Sequence, residues 1–210
     1  MNIYDVYYFF LRRFRPKRMR FFWNKFHLTS ESKVLDVGGT LFNWNLLGKR
    51  PRLTMVNLTA LTSEKNAEYV NWIIADGRYL PFKDGAFDVV YSNSLIEHLE
   101  NLDGQLKFAA ECMRVGKNYF IQTPNKWFPI EPHFLAPFIH WLPRQVSRRL
   151  LRNFTVWGWI TRPTQQQCDA MLQEIRLLDA REMRSIFPQA ELIQERLLGW
   201  TKSFIILKRD

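Results

Sequence analysis

Cysteine is nearly missing from this chain: Cys112 and Cys168 are the only two, and they lie far apart. No pair has the spacing of a zinc or redox motif, so both are expected to be reduced, half-buried thiols in a cytosolic protein. Long apolar runs are missing as well. The richest stretch, Phe128 to Leu142, is cut by Pro129, Pro132 and Pro137 and carries Glu131, which excludes a membrane-spanning helix there. The first residues begin apolar and turn basic, the reverse of a secretory leader, and no leader is expected. Acidic side chains are in short supply, 20 against 30 Lys and Arg, for a net charge of +10.

What is present suits a packed globule. The 210 residues are 47% hydrophobic and 15% aromatic, enough for one domain with a sizeable core. The positive excess is unevenly placed. Residues 1–33 carry eight basic and two acidic side chains, and residues 124–163 carry six and one, while the remainder is nearly neutral. Two basic segments flanking a neutral core point to an anionic surface or substrate.

The core is organised around Lys33 to Thr40, Lys-Val-Leu-Asp-Val-Gly-Gly-Thr. Val34, Leu35 and Val37 form a run too short for a helix, suited to a strand buried on both faces of a parallel sheet. Gly38 and Gly39 end it and let a ligand approach the main chain. Asp36 sets a carboxylate at the strand's carboxyl end, where open α/β sheets bind ligands. Further strands are expected over 53–58, 70–75, 87–91 and 117–122, and a hairpin over 190–198 and 203–208. Asp76-Gly77 ends the third strand and Asn93-Ser94 follows the fourth.

Three segments carry a resemblance to a known family. They are Val34-Leu-Asp-Val-Gly-Gly-Thr40, Ala75-Asp-Gly-Arg-Tyr-Leu-Pro-Phe82 and Phe87-Asp-Val-Val-Tyr-Ser-Asn-Ser-Leu-Ile-Glu-His-Leu99, and Arg176 to Pro188 looks like the family's pre-terminal helix. In this order they resemble a class I S-adenosylmethionine-dependent methyltransferase of the type-11 group, over roughly residues 31–123 and 165–208. The resemblance implies a Rossmann-like seven-stranded α/β sheet, mostly parallel with an antiparallel C-terminal hairpin strand and helices on both faces. It implies S-adenosyl-L-methionine as cofactor, met by Asp36, Gly38, Gly39 and Thr40 at the first loop. Asn57 would hold the ribose, Leu58 would pack on adenine, and Asp76 with the Gly77 N–H would read the adenine edge. Asn93 and Ser94 would face the methionine end and the acceptor. Two positions depart from the family pattern: Asn57 stands where an acid is usual, and Thr40 where a glycine is. Glu64 in the following helix could supply a carboxylate in place of Asn57.

The chain is expected to divide into a basic, aromatic helical extension over 1–30 and a methyltransferase domain over 31–210, with a lid or acceptor insertion at 124–163. Pro16 is expected to break the extension into two short helices. Its interleaved aromatic and cationic residues fit either peripheral contact with an anionic membrane, at its inner face, or a helical cover over the fold. In the insertion, Trp127, Phe128, His133 and Trp141 are expected to line an acceptor pocket. Arg144, Arg148, Arg149 and Arg152 would share one helix face. His133, beside Glu131, and His98 are the candidate general bases. Glu97-His98 is a lone pair to which Ser94 adds no second acid. Such a pair is ordinarily a capping or surface feature, so no metal is expected.

Methylation of a small-molecule or lipid-linked acceptor, such as an anionic glycolipid or a quinone-like lipid, is the function that fits best. Nucleic-acid (RNA) methylation is the first alternative, disfavoured because Ser92-Asn-Ser-Leu stands where an Asn/Asp-Pro-Pro-Tyr motif would be. A non-catalytic binding domain is the other, left open by Asn57 and Thr40. Neither the acceptor atom nor the oligomeric state is legible.

Overall fold

A computed structural model of the chain describes residues 2–59 and 69–209, apart from the Phe10 side chain. Helix α1 (Ile3–Lys25) leads to β1 (Lys33–Val37), α2 (Leu41–Asn45), β2 (Arg52–Asn57), β3 (Val70–Ile74) and β4 (Phe87–Asn93). Helix α3 (Leu102–Val115) and β5 (Gly116–Pro124) follow, then β6 (Ile130–Glu131), β7 (Ala136–Pro137), α4 (Arg144–Phe154), α5 (Val156–Thr161) and α6 (Gln165–Glu174). The chain closes with α7 (Ala180–Ile186), β8 (Glu191–Leu197) and β9 (Trp200–Lys208).

Seven strands form one sheet in the order β3-β2-β1-β4-β5-β9-β8. Neighbours from β3 to β5 pair in parallel, and β9 enters antiparallel between β5 and β8. The chain reverses its direction of travel across the sheet between β1 and β4, the place where open α/β sheets form a ligand crevice. This is the Rossmann-like arrangement expected from the sequence.

Period-two alternation explains how the short strands fill two cores. Leu35 and Val37 in β1, Val90 in β4 and Ile121 in β5 pack with Phe108 and Cys112 of α3 and Met183 of α7. Their neighbours Val34, Val89, Tyr91 and Phe120 pack on the other face with Met19 and Phe22 of α1 and Trp44 of α2. Burial on both faces is why β1, β4 and β5 are nearly unbroken apolar runs. A third, smaller core lies outside the sheet, where Phe134, Ala136, Ile139 and Leu151 meet Cys168. Met171, Leu172 and Ile175 pack against it, so the inserted subdomain continues through α6, beyond the expected limit at residue 163.

The N-terminal segment differs from expectation. Pro16 lies inside one continuous α1 rather than between two helices. An interior proline costs about 3 kcal/mol through its missing N–H and a ring clash. Burial of whole side chains offsets this, since Met19 and Phe22 are fully covered and each buried apolar side chain of this size contributes about 1.5–3 kcal/mol. Phe22 stacks near Tyr91 and Phe120, with ring centroids 4.7 and 5.1 Å away. The 1–30 segment is therefore part of the sheet's second core.

A buried polar network fixes α1 further. The Arg18 guanidinium, only 7% exposed, donates to Asn93 Oδ1 at 2.5 Å and Gln122 Oε1 at 2.9 Å, and to both oxygens of Glu195 at 3.0 and 2.5 Å. Burial raises the Glu195 carboxyl, but Arg18 and Lys202 outweigh it and bring its pKa down from 4.5 to about 2. The folded chain thus takes up this proton less readily than the unfolded chain. The interaction stabilises the protein by on the order of 3 kcal/mol above about pH 4.5, and that contribution is lost as pH falls toward 2. Urea titrations at pH 7 and pH 3 should show Glu195→Gln less stable than the native chain at pH 7 and losing much less on acidification. Parallel losses in the two proteins would remove Glu195 from acid sensitivity.

Candidate active site

The first loop folds back on its own strand. Asp36, fully buried on the α1 side, accepts from Trp44 Nε1 at 2.8 Å. Gly39 lies directly over that carboxylate: a Cβ there would sit 2.0 Å from Asp36 Oδ2. Any side chain would displace the acid, which is the physical demand for glycine at this position. Gly38 has φ of +77°, a left-handed conformation, and its N–H donates to the Val56 carbonyl at 2.8 Å. The loop is thereby tied to the end of β2.

Asn57 completes the tie. Its side-chain amide donates to the Gly39 carbonyl at 3.0 Å. A carboxylate has no proton to give, so the amide performs a task here that Asp or Glu cannot. Its oxygen is left to receive a ribose hydroxyl. Leu58 beside it is exposed. Glu64 lies outside the described residues. Thr40 precedes α2 without capping it through its side chain. At the end of β3, Asp76 is held by Arg78, whose Nε lies 3.0 Å from both its oxygens and whose Nη2 lies 2.6 Å from Oδ2. Those hydrogen bonds keep the Asp76 carboxyl below its ordinary pKa against the opposing effect of burial. It is ionised, and a ligand amino group would share it with Arg78. Gly77 stands close under Val37 and Phe108, with little room for a side chain.

The carboxyl ends of β4 and β5 form the other half of the crevice. Ser94 leaves β4 with φ of +57°, a strained conformation for a residue with a Cβ. Its N–H donates to the Gln122 carbonyl at 2.9 Å and its hydroxyl to Gln122 Oε1 at 3.1 Å. Asn93 is committed to Arg18. From sequence, Arg18 reads only as one of six cations, with Arg12, Arg13, Arg15, Lys17 and Arg20, that an anionic membrane could meet, and Gln122 only as a strand end. The available signal was spacing, since Arg15, Arg18, Met19 and Phe22 share one helix face and two of them are core residues.

Next to Ser94, three residues converge. The short 3-10 turn Ile96–His98 presents Glu97 inward, fully buried, where Thr123 Oγ1 donates to its Oε2 at 2.9 Å. Its Oε1 has no hydrogen-bond partner. His98 stands beside it, and the insertion brings back His133, whose ring meets that of His98 edge-on at 4.9 Å. Each imidazole has Nδ1 engaged by a carboxylate: Glu174 Oε1 at 3.0 Å for His98 and Glu131 Oε1 at 2.6 Å for His133. Burial lowers the His133 pKa, but Glu131, Glu97 and Glu174 outweigh it and leave it above its ordinary value. One ligating atom from each of Glu97, His98 and His133 lies within 4.8 Å of the others.

The aromatic residues expected around an acceptor are arranged differently. A pocket of about 300 Å³ in the insertion is lined by Glu131, Phe134, Ile139, His140, Leu172 and Arg176, among others. Trp127, Phe128 and Trp141 are absent from its lining. Trp127 and Trp141 are exposed, 6.4 Å apart, and Phe138 stacks near Trp141. They form an outer aromatic cluster, with the Trp141 ring held by its Nε1, which donates to the Lys126 carbonyl at 2.9 Å.

Residues 35–119 match a family model described as a methyltransferase domain. Two uncharacterised proteins from strains of Mycobacterium tuberculosis are each 33% identical over 89 residues, a match covering 37% of this chain and 30% of theirs. The chain thus matches under a third of the length of these curated relatives. A S-adenosylmethionine-dependent methyltransferase from Aquifex aeolicus superposes with a TM-score of 0.55 at 15% identity, over 94% of this chain and 90% of that one. The 1,6-didemethyltoxoflavin N1-methyltransferase of Burkholderia thailandensis, solved with its substrate and S-adenosylhomocysteine, gives 0.54 at 12% identity, over 90% and 74%. The family match runs from β1 into β5, and the strand order around it is the fold that these S-adenosylmethionine-dependent methyltransferases share.

Proposed function

We propose that the protein transfers the methyl group of S-adenosylmethionine to a small-molecule or lipid-linked acceptor. The observation that carries this reading is the loop over Asp36, closed by Gly39 and tied by Asn57, beside an ionised Asp76 at the next strand end but one. Such a row of acceptors and approachable backbone suits a nucleoside with a cationic tail. The Burkholderia protein of this fold holds a small heterocycle and the spent cofactor, which favours a small acceptor here too. The sulfonium already carries a good leaving group, so the protein's work is to align acceptor and methyl and to exclude water. Ser94, His98 and His133 would receive the acceptor's polar end.

The outer surface favours an amphipathic acceptor. Tyr4, Tyr8 and Phe9 on α1 and Phe154 and Trp159 on the insertion are exposed, and the two elements touch where the Tyr7 hydroxyl donates to the His133 carbonyl. Among the described residues no helix is long and apolar enough to cross a membrane. Aromatic and cationic side chains on one surface suit a headgroup layer instead. Arg18 is consumed by its buried network and Arg15 by Asn43 at 2.9 Å, which leaves Arg12, Arg13, Lys17 and Arg20 for lipid phosphates.

Two measurements test these readings. Calorimetry should show binding of S-adenosylmethionine, weakened by about 1–3 kcal/mol in Asp76→Ala and by a similar amount in Asn57→Ala. Unchanged affinity in folded variants would remove those residues from the site. The native chain should sediment with anionic vesicles at low salt and be released at high salt. Replacing Arg12, Arg13, Lys17 and Arg20 with Gln should weaken this by about 1 kcal/mol per charge without altering cofactor affinity. A native chain that ignores anionic vesicles at low salt would sink the membrane reading.

A further inference from the structure

We propose that Glu97, His98 and His133 form a binding site for a divalent transition-metal ion on the acceptor side of the crevice, against the sequence-based expectation of none. The inference rests on the methyltransferase reading only for what the ion would do, and the site itself stands on four observations. First, Glu97 is fully buried with Oε1 unpartnered, an arrangement that leaves part of a carboxylate's desolvation uncompensated unless a cation faces it. Second, both imidazoles have Nδ1 fixed by a carboxylate, so Nε2 is the nitrogen each has left to offer. Carboxylate-held histidines are the usual outer arrangement of a metal site, because the acid fixes the ring and raises its basicity. Third, the three ligating atoms already lie within 4.8 Å of one another. Ligands of a tetrahedral zinc ion lie about 3.4 Å apart, so closing the site needs shifts of about 1 Å. Fourth, the two histidines remain partly exposed while Glu97 does not, which leaves coordination positions open toward the acceptor.

Two imidazoles and one carboxylate suit zinc, manganese, iron(II) or cobalt rather than calcium, which prefers oxygen donors. In the methyltransferase reading, the ligand class for the open position is a hydroxyl or enol oxygen of the acceptor. Coordination would ease loss of its proton to solvent. The oxygen's electron pair would then form the bond to the methyl carbon as the sulfur–carbon bond breaks, releasing S-adenosylhomocysteine. No free imidazole base is needed on this route.

The test uses the full chain, stripped with EDTA, with Zn²⁺ and Co²⁺ as probes and neither cofactor nor acceptor present. The native chain should bind about one equivalent with a Tm that rises on Zn²⁺ addition, and Co²⁺ should give visible bands of nitrogen–oxygen coordination. Glu97→Gln keeps the shape and still accepts from Thr123. It should weaken metal binding at least about 100-fold and abolish the Tm rise, and His133→Ala should do the same. Glu174→Gln, at the exposed outer carboxylate, should weaken it by about tenfold. A native chain with no stoichiometric uptake, or a Glu97→Gln variant that binds Zn²⁺ as tightly as the native chain, would overturn the proposal. S-adenosylmethionine affinity, measured separately in the stripped protein, distinguishes failure of this site from failure of the methyltransferase reading.

Discussion

The guanidinium of Arg18 is the contact on which the arrangement of this molecule turns. One side chain reaches the ends of β4 and β5 through Asn93 and Gln122, and the C-terminal hairpin through Glu195. A buried charge of this kind is costly to desolvate and is tolerated because every direction of its fork meets an acceptor. Besides the stability it contributes above about pH 4.5, its consequence is positional. With Arg18 fixed, α1 must cross the sheet at one angle, Phe22 must enter the Tyr91–Phe120 cluster, and Tyr7 three turns earlier must arrive under the insertion. A helix interrupted at Pro16 could not transmit that placement.

The cofactor half of the crevice works by a different rule, close approach. Asp36 is buried under Gly39 and braced by Trp44, so the acid shapes the loop from beneath while the backbone faces outward. Asn57 then holds the loop by donating a proton, which an acidic residue could not do. Its departure from the family pattern comes with a firmer hold on the glycine loop. Asp76 keeps the negative charge on this side, moderated by Arg78.

Much of this half was legible because it is local. Strand, acid and glycine are neighbours in sequence, and period-two burial follows from their order. The family resemblance supplied the roles, and the sheet order agrees with it. What was not legible depends on contacts between distant segments. Nothing near Arg18 announces that Glu195, 177 residues away, will meet it. Pro16 was misread because propensity treats a helix in isolation, whereas Met19 and Phe22 offset its cost by burial in the sheet's second core. Glu97-His98 looked like a lone pair since its third member, His133, returns through the insertion. Trp127 and Trp141 read as pocket walls because the insertion caps the site in the resembled family, whereas both rings stand exposed and the Lys126 carbonyl holds that of Trp141.

The electrostatics of the two halves bear on the acceptor itself. The chain carries +10 overall, yet the innermost acceptor end is acidic: Glu97, Glu131 and Glu174 surround the two histidines, and the nearby buried cation, Arg18, is paired with Glu195. With no metal ion bound, an anionic group driven to that depth would first meet these carboxylates. Exposed cations stand instead on the outer surface, Arg12 and Arg13 on α1 and Arg144, Arg149 and Arg152 on α4, while Arg148 is paired with Asp169. An acceptor that satisfies both environments has its charge remote from its reacting atom, with an apolar stretch between them. That separation of charge is the physical support for the proposed amphipathic acceptor, whose reacting oxygen would lie deeper than its charged group.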